Sequence, residues 1–205
     1  MRLPPFHGRE AERLARQERV PLFTVLLTAF ALAARGTASP RVRVDVPVSG
    51  RDHPQLASIT GFFTRFHRLD VPLPEDTTFR QALRRVHGAW AGAEETGTGT
   101  ANPLGPAPAD GVVPLFSYRS GDVQPRLRLA GCAVTEARWV HDAAKEDLGL
   151  ITDRVGETVH PLLEFRAAVV PERAAVRLAR RFTELVTQAA RDPDETVALP
   201  ESEAP

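Results

Sequence analysis

Few side chains in this 205-residue sequence have the types and spacing that chemistry requires. The most suggestive pair is His141 and Asp142, which follow Trp139. Most polar side chains are solvated, so we expect this pair to lie in a surface loop. Cys132 has no base close to it in sequence, and we expect a small buried side chain rather than a nucleophile. The sequence has no metal-ligand spacing and no phosphate-binding glycine loop, so we predict no metal or cofactor site.

The stretch from residue 41 to residue 71 organises the rest of the chain. It begins with a strict alternation, because Val42, Val44, Val46 and Val48 fall on one face of a strand. Pro47 limits pairing near the end of that strand. A polar turn at residues 49–54 follows, and Gly61 is predicted to open a second strand. That strand carries Phe62, Phe63, Phe66 and Leu69, and we expect the three phenylalanines to be core residues rather than substrate contacts.

Helices flank this pair of strands. Apolar spacing predicts helices at 10–18, 22–34 and 171–191. Thr78 with Gln81 predicts a capping box that starts another helix. Further extended segments are predicted at 112–118, 127–134, 147–152 and 159–165, with a hairpin turn at 153–157. The pattern predicts an α/β two-layer sandwich in which helices cover a mixed β-sheet.

Two segments are predicted to lie outside this framework. Residues 96–111 are rich in Gly, Thr, Pro and Ala, which indicates a flexible loop. Residues 192–205 are acidic and are expected to be frayed. The domain is therefore predicted to span residues 1–191.

Two short segments resemble a known family. Residues 46–51 read VPVSGR and residues 59–63 read ITGFF. They resemble the P-V-x-x-R and I-G-x-F-V-N-T segments in the C-terminal lobe of the condensation domain of nonribosomal peptide synthetases. Residues 22–30, 112–118 and 147–152 resemble further segments of that lobe, with Glu146 where the family has Phe. The resemblance implies a chloramphenicol-acetyltransferase-like fold and a single lobe of a two-lobed enzyme.

The catalytic motif of that family is absent. Its H-H-x-x-x-D-G segment belongs to the other lobe, and no histidine here has Asp at the fourth following position. The Asp110–Gly111 pair has Pro106 four residues before it. The H-Q-D-x-P-F-E-like motif that the family places near residues 96–111 is also not recognisable. The resemblance therefore implies that the general base lies in another lobe, and that this chain contributes no catalytic residue.

The resemblance points to four residues that line the tunnel between the lobes: Arg51, Gly61, Phe63 and Arg65. Arg51 matches the family's arginine in the turn after the strand. A salt bridge from Arg51 to Asp52 or Asp45 is an equally weighted alternative. Arg65 replaces a small asparagine of the family. If Arg65 faces the tunnel, its guanidinium narrows it or attracts a carboxylate or phosphate. If it faces solvent, it is an ordinary strand residue.

Three functions follow from the resemblance. The leading hypothesis is the C-terminal half of a condensation-type enzyme, inactive alone. Its partners would be an N-terminal lobe and a peptidyl carrier protein, whose phosphopantetheine carries the substrates. The chain could be a natural half-enzyme or an excised fragment. The alternative is a degenerate, non-catalytic lobe that docks a carrier or adenylation protein. A CoA-dependent acyltransferase half is a third, weaker interpretation.

Composition bears on partners and location. With 26 basic and 26 acidic residues, nothing indicates nucleic acid or an anionic membrane as a partner. The single cysteine cannot form an intrachain disulfide, and no apolar signal core or membrane-spanning run occurs. We expect a cytoplasmic protein. Because a lobe normally packs on another lobe, exposed apolar surface should favour homo- or hetero-association.

Overall fold

A six-stranded mixed sheet forms among the residues that the structure describes. In this computed structural model these are residues 1–35, 39–51, 53–96, 111–120, 130–131 and 144–198. The strand order is β1-β6-β5-β4-β2-β3, with β2 parallel to β4, β4 parallel to β5, and the other neighbours antiparallel. The strands are β1 (Phe6–His7), β2 (Arg41–Val48), β3 (Arg65–Pro72), β4 (Leu115–Ser120), β5 (Leu148–Val155) and β6 (Thr158–Phe165).

Four helices in the described part of the chain pack on this sheet. They are α1 (Arg9–Glu18), α2 (Leu22–Ala34), α3 (Phe79–Thr96) and α4 (Glu172–Arg191). Helix α2 contacts β2 and β4, while α3 contacts β3 and α4 contacts β6. Alternate strand residues such as Val44, Leu69 and Leu163 join the helix side chains in one buried cluster. The predicted α/β sandwich with helices covering a mixed sheet is confirmed.

The valine strand and the phenylalanine-bearing strand are neighbours, as predicted. Strand β2 pairs with β3 in antiparallel register, with Val44 opposite Leu69 and Val48 opposite Arg65. Strand β3 begins at Arg65 rather than at Gly61, because the preceding residues form a loop that is held by other contacts described below. The expectation that three phenylalanines are core residues is wrong: Phe62 is 79% exposed, and Phe63 and Phe66 are half-buried and lie outside the core cluster of the described residues.

Helix α3 begins with the predicted capping box. The Gln81 backbone N–H donates to Thr78 Oγ1 at 3.2 Å, and the Thr78 N–H donates to Gln81 Oε1 at 3.2 Å. Helices α1, α2 and α4 also lie where apolar spacing predicts them. The apolar stripe predicted on α4 is wrong at Val176, which lies outside the buried stripe and is 47% exposed.

The first residues of the chain pair with β6 as the edge of the sheet, which the sequence did not predict. The Met1 amine donates to the Leu163 carbonyl at 2.6 Å, and the Leu3 N–H donates to the Pro161 carbonyl at 3.1 Å. Strand β1 then continues along β6, with Phe6 opposite Val159. A strand of two residues is too short to show a period of two, so periodicity could not reveal it.

The acidic tail is not frayed over its described part. Thr196 forms a β-bridge with Thr78, and Val197 is 3% exposed because its side chain joins the core. Asp194 accepts two hydrogen bonds from the Arg80 guanidinium at 2.7 and 3.0 Å. These contacts dock residues 192–198 on the start of α3.

Several predictions fall on residues outside the described ranges. These are nearly all of the loop at 96–111, most of the extended segment at 127–134, the end of the tail at 199–205, Cys132, and the pair His141 and Asp142. No helix in the described ranges is by itself long and apolar enough to cross a bilayer. Helices α1 and α2 pass that test only as a pair, with a bend of 103° between them.

Candidate functional site

Arg51 organises the loop between β2 and β3. Its Nη1 donates to the carbonyl of Leu56 and, at 2.8 Å, to that of Ile59. Its Nη2 donates to the carbonyl of Gly61 at 3.2 Å. The guanidinium also lies 4.5 Å from the centre of the Phe63 ring, within the range of a cation–π contact. The planar guanidinium thus contacts three backbone carbonyls and one aromatic ring of the same loop. We call residues 53–64 the Arg51 loop.

Two glycines allow this loop to close. Gly50 has φ +62°, and a Cβ at that position would lie 1.9 Å from the Phe63 carbonyl oxygen. A Cβ on Gly61 would lie 3.0 Å from the Phe63 ring. The structure therefore brings Arg51, Gly61 and Phe63 together, as three of the four residues predicted for the tunnel wall.

The alternative salt bridge from Arg51 to Asp45 is wrong. Asp45 accepts two hydrogen bonds from the Arg68 guanidinium, both at 2.8 Å, and its side chain is buried. Asp45 and Arg68 are opposite each other on β2 and β3, so the strand register selects this pair. Asp52, the other proposed partner, lies outside the described residues.

Arg65, the fourth predicted residue, is the first residue of β3 and follows the loop directly. Its side chain is exposed at the end of the strand, opposite Val48. By alternation it shares a face with His67, which is buried and packs edge-on against Trp90 at a ring distance of 5.4 Å. Arg65 thus lies beside the Arg51 loop at the sheet end, and its tunnel role stays a prediction.

Curated proteins similar to this chain are peptide synthetases, although no protein-family model matches it. The dimodular nonribosomal peptide synthase of Bacillus subtilis is 28% identical over 211 residues, covering 95% of this chain and 9% of that protein. Surfactin synthase subunit 2 of the same species is 27% identical over 84% of this chain and 5% of its own length. The isonitrile lipopeptide synthase of Mycobacterium tuberculosis is 33% identical over 42% of this chain and 4% of its own length. The chain therefore spans less than a tenth of these relatives.

Solved structures with the same fold are condensation domains. That of the monacolin K polyketide synthase MokA gives a TM-score of 0.75 at 15% identity, covering 96% of this chain and 47% of that one. The first condensation domain of the calcium-dependent antibiotic synthetase gives 0.70 at 21% identity, covering 96% and 46%. The chain has the fold of one condensation-domain lobe. Coverage of just under half of each solved chain agrees with the predicted single C-terminal lobe.

The Arg51 loop exposes two apolar side chains for which the sequence pattern predicts no functional role. Ile59 is 48% exposed and Phe62 is 79% exposed. Phe62 occupies the variable position of the family's I-G-x-F segment, so the resemblance assigned it no role. The residues just before Arg65 lack the strict alternation of β2, and that was the one available signal that they leave the sheet.

The lobe also holds a half-buried carboxyl at the start of β5. Burial raises the pKa of Glu146 above its ordinary value, and the negative charge of Glu164 raises it further. Glu146 stands where the family has phenylalanine, so an ionisable group occupies an apolar position. Within the described ranges, no group of three or more His, Cys, Asp or Glu residues is placed to hold a metal ion.

Proposed function

We propose that this chain is the C-terminal half of a condensation-type enzyme in nonribosomal peptide synthesis. The observation that carries the proposal is the coverage: 94–98% of this chain superimposes on only 42–47% of the chains in solved condensation-domain structures. Identity to peptide synthetases over nearly the whole chain supports the same role. The complementary half, with its H-H-x-x-x-D-G motif, would be an N-terminal lobe.

In this function the lobe forms one wall of the reaction tunnel. The acceptor amine attacks the donor thioester carbonyl, so that a C–N bond forms and the C–S bond breaks. The partner lobe's histidine takes the amine proton and returns it to the departing phosphopantetheine thiolate, which leaves as the thiol. An acceptor hydroxyl would give an ester. Carrier proteins bring both substrates, so this lobe needs no bound cofactor of its own.

The residues of the wall act by position rather than by chemistry. Arg51 uses its donors on backbone carbonyls and holds Gly61 and Phe63 in place. It is therefore a positioning residue, because these donors are already engaged within the loop. Arg65 would extend a cationic group into the tunnel where the family has an amide, and would favour acidic or phosphate-bearing substrates.

Amide formation between loaded peptidyl carrier proteins tests the proposal. An N-terminal condensation lobe that carries the H-H-x-x-x-D-G motif serves as the partner. We expect no product from this chain alone and product when both lobes are present. Turnover by this chain without the partner lobe, or no turnover from the pair, would contradict the proposed enzyme.

A non-catalytic docking lobe is the second candidate function. The exposed apolar loop favours it, since such a surface can bind a protein without any chemistry. The teicoplanin X-domain, solved in complex with OxyB, has a TM-score of 0.74 to this chain at 20% identity. A stable complex with a carrier or adenylation protein, combined with no condensation in the presence of an N-terminal lobe, would support docking over catalysis.

A further inference from the structure

One end of the sheet concentrates exposed apolar side chains. Strands β2, β4 and β5 run parallel, so their last residues lie at the same end of the sheet. These last residues are Val48, Ser120 and Val155. Ile59 and Phe62 project from the Arg51 loop at that end, and Val155 is 54% exposed at the turn between β5 and β6. These three are half of the large apolar residues that are exposed in the described ranges.

Part of the backbone of the Arg51 loop is hydrogen-bonded within the loop itself. Three of its carbonyls accept hydrogen bonds from the Arg51 guanidinium, and the N–H groups of Leu56 and Ile59 donate to carbonyls within the loop. These hydrogen bonds fix the backbone that carries the exposed Ile59 and Phe62 side chains. An exposed phenylalanine on a loop ordered in this way loses little conformational entropy when it binds.

The loop is also free of charged side chains. Residues 53–64 read HPQLASITGFFT and contain no Asp, Glu, Lys or Arg, although 25% of the whole sequence is charged. Depletion of charge with aromatic enrichment marks the buried core of protein interfaces. Two charged residues flank the loop: Arg51, whose guanidinium is bound to the loop carbonyls, and the exposed Arg65 at the start of β3. The uncharged loop between them suits a water-excluding contact.

We propose that Ile59 and Phe62 anchor this lobe to the complementary condensation lobe by inserting into an apolar socket on it. The inference rests on the proposed function and adds the residues that make the association. The occupant is argued from length, because solved condensation-domain chains contain as much again beyond the part that this chain matches. Ile59 and Phe62 lie beside the predicted tunnel wall, so their insertion would fix the position of one lobe relative to the other.

Titration calorimetry of this chain with an N-terminal condensation lobe that carries the H-H-x-x-x-D-G motif tests the anchors. We expect the double variant Ile59→Ala with Phe62→Ala to bind about thirtyfold more weakly than wild type, as for central aromatic anchors. Its thermal midpoint should match that of wild type, because both side chains are exposed. Val176→Ala removes an equally exposed valine on α4, away from this end, and should bind as wild type does.

The outcomes separate the two proposals. Equal binding by wild type and the double variant overturns the anchor while leaving the half-enzyme in place. No binding of wild type to the N-terminal lobe removes the half-enzyme itself. Sedimentation of the chain alone completes the test: self-association that disappears in the double variant would make a second copy the occupant and overturn the inference.

Discussion

Replacing Arg51 with lysine should loosen the Arg51 loop without unfolding the lobe. The guanidinium reaches carbonyls 5, 8 and 10 residues further along the chain with a fixed planar fork. A lysine places one ammonium on a more flexible stem and can serve only one of these carbonyls well. Loss of the stacking on Phe63 adds to the effect.

The magnitude follows from the hydrogen bonds that lysine cannot replace. Hydrogen bonds to charged groups contribute about 1.5–3 kcal/mol each, but the outer carbonyls of this loop are partly solvated and water replaces part of that. We therefore assign about 1 kcal/mol to each of the two carbonyls that lysine leaves unserved, or about 2 kcal/mol in the free energy of opening the loop. That corresponds to an opening about thirtyfold more frequent.

Hydrogen exchange at the Ile59 amide measures this opening, because that N–H donates to the Leu56 carbonyl at 3.3 Å within the loop. We expect the Ile59 amide to exchange about thirtyfold faster in Arg51→Lys than in wild type. The exchange rates of the β3 amides should stay the same. Arg41→Lys is the matched control, since Arg41 pairs with Asp70 on the surface of the sheet away from the loop. Unchanged exchange at Ile59 would show that the arginine does not order the loop.

Two further predictions concern stability. Because the folded pKa of Glu146 is raised, by burial and then by Glu164, stability falls as pH rises through that raised pKa. Glu146→Gln should therefore have a higher urea midpoint of unfolding than wild type at pH 7 but not at pH 4. An equal change in the urea midpoint at both pH values would show that the pKa of Glu146 is not the cause. Arg80→Ala leaves the nearly buried Glu18 carboxylate without its closest cation and also removes the hydrogen bonds to Asp194. It should cost about 2 kcal/mol in urea unfolding, less than a fully buried pair because Arg80 is partly exposed. Adding Glu18→Gln should recover part of that loss, and a larger loss in the double variant would refute the pairing.

The elements that sequence predicted well are those whose signal is local. The alternation in β2, the apolar spacing of α2 and the reciprocal spacing of Thr78 and Gln81 each fix a backbone state within a few residues. The elements it missed depend on distant partners. Strand β1 exists because β6 offers an open edge, and residues 192–198 are ordered because Val197 finds a place in the core.

The candidate site shows the same contrast between features with a local sequence signal and features that depend on tertiary contacts. The resemblance located Arg51 and predicted that it faces the tunnel. The alternative prediction was a salt bridge to an acidic side chain. The actual acceptors are backbone carbonyls, which every residue carries and which no sequence pattern distinguishes. Its size and apolar character predict a core position for Phe62, but Arg51 holds the loop by hydrogen bonds and Phe62 is exposed.

The two proposed roles of the Arg51 loop are therefore coupled. By drawing the carbonyls of Leu56, Ile59 and Gly61 inward, Arg51 both sets the position of Phe63 in the proposed wall and turns Ile59 and Phe62 outward. A change that frees the guanidinium should weaken lobe association and condensation together. A change at Phe62 should weaken association, and condensation should recover when the partner lobe is in excess, because the wall itself remains intact.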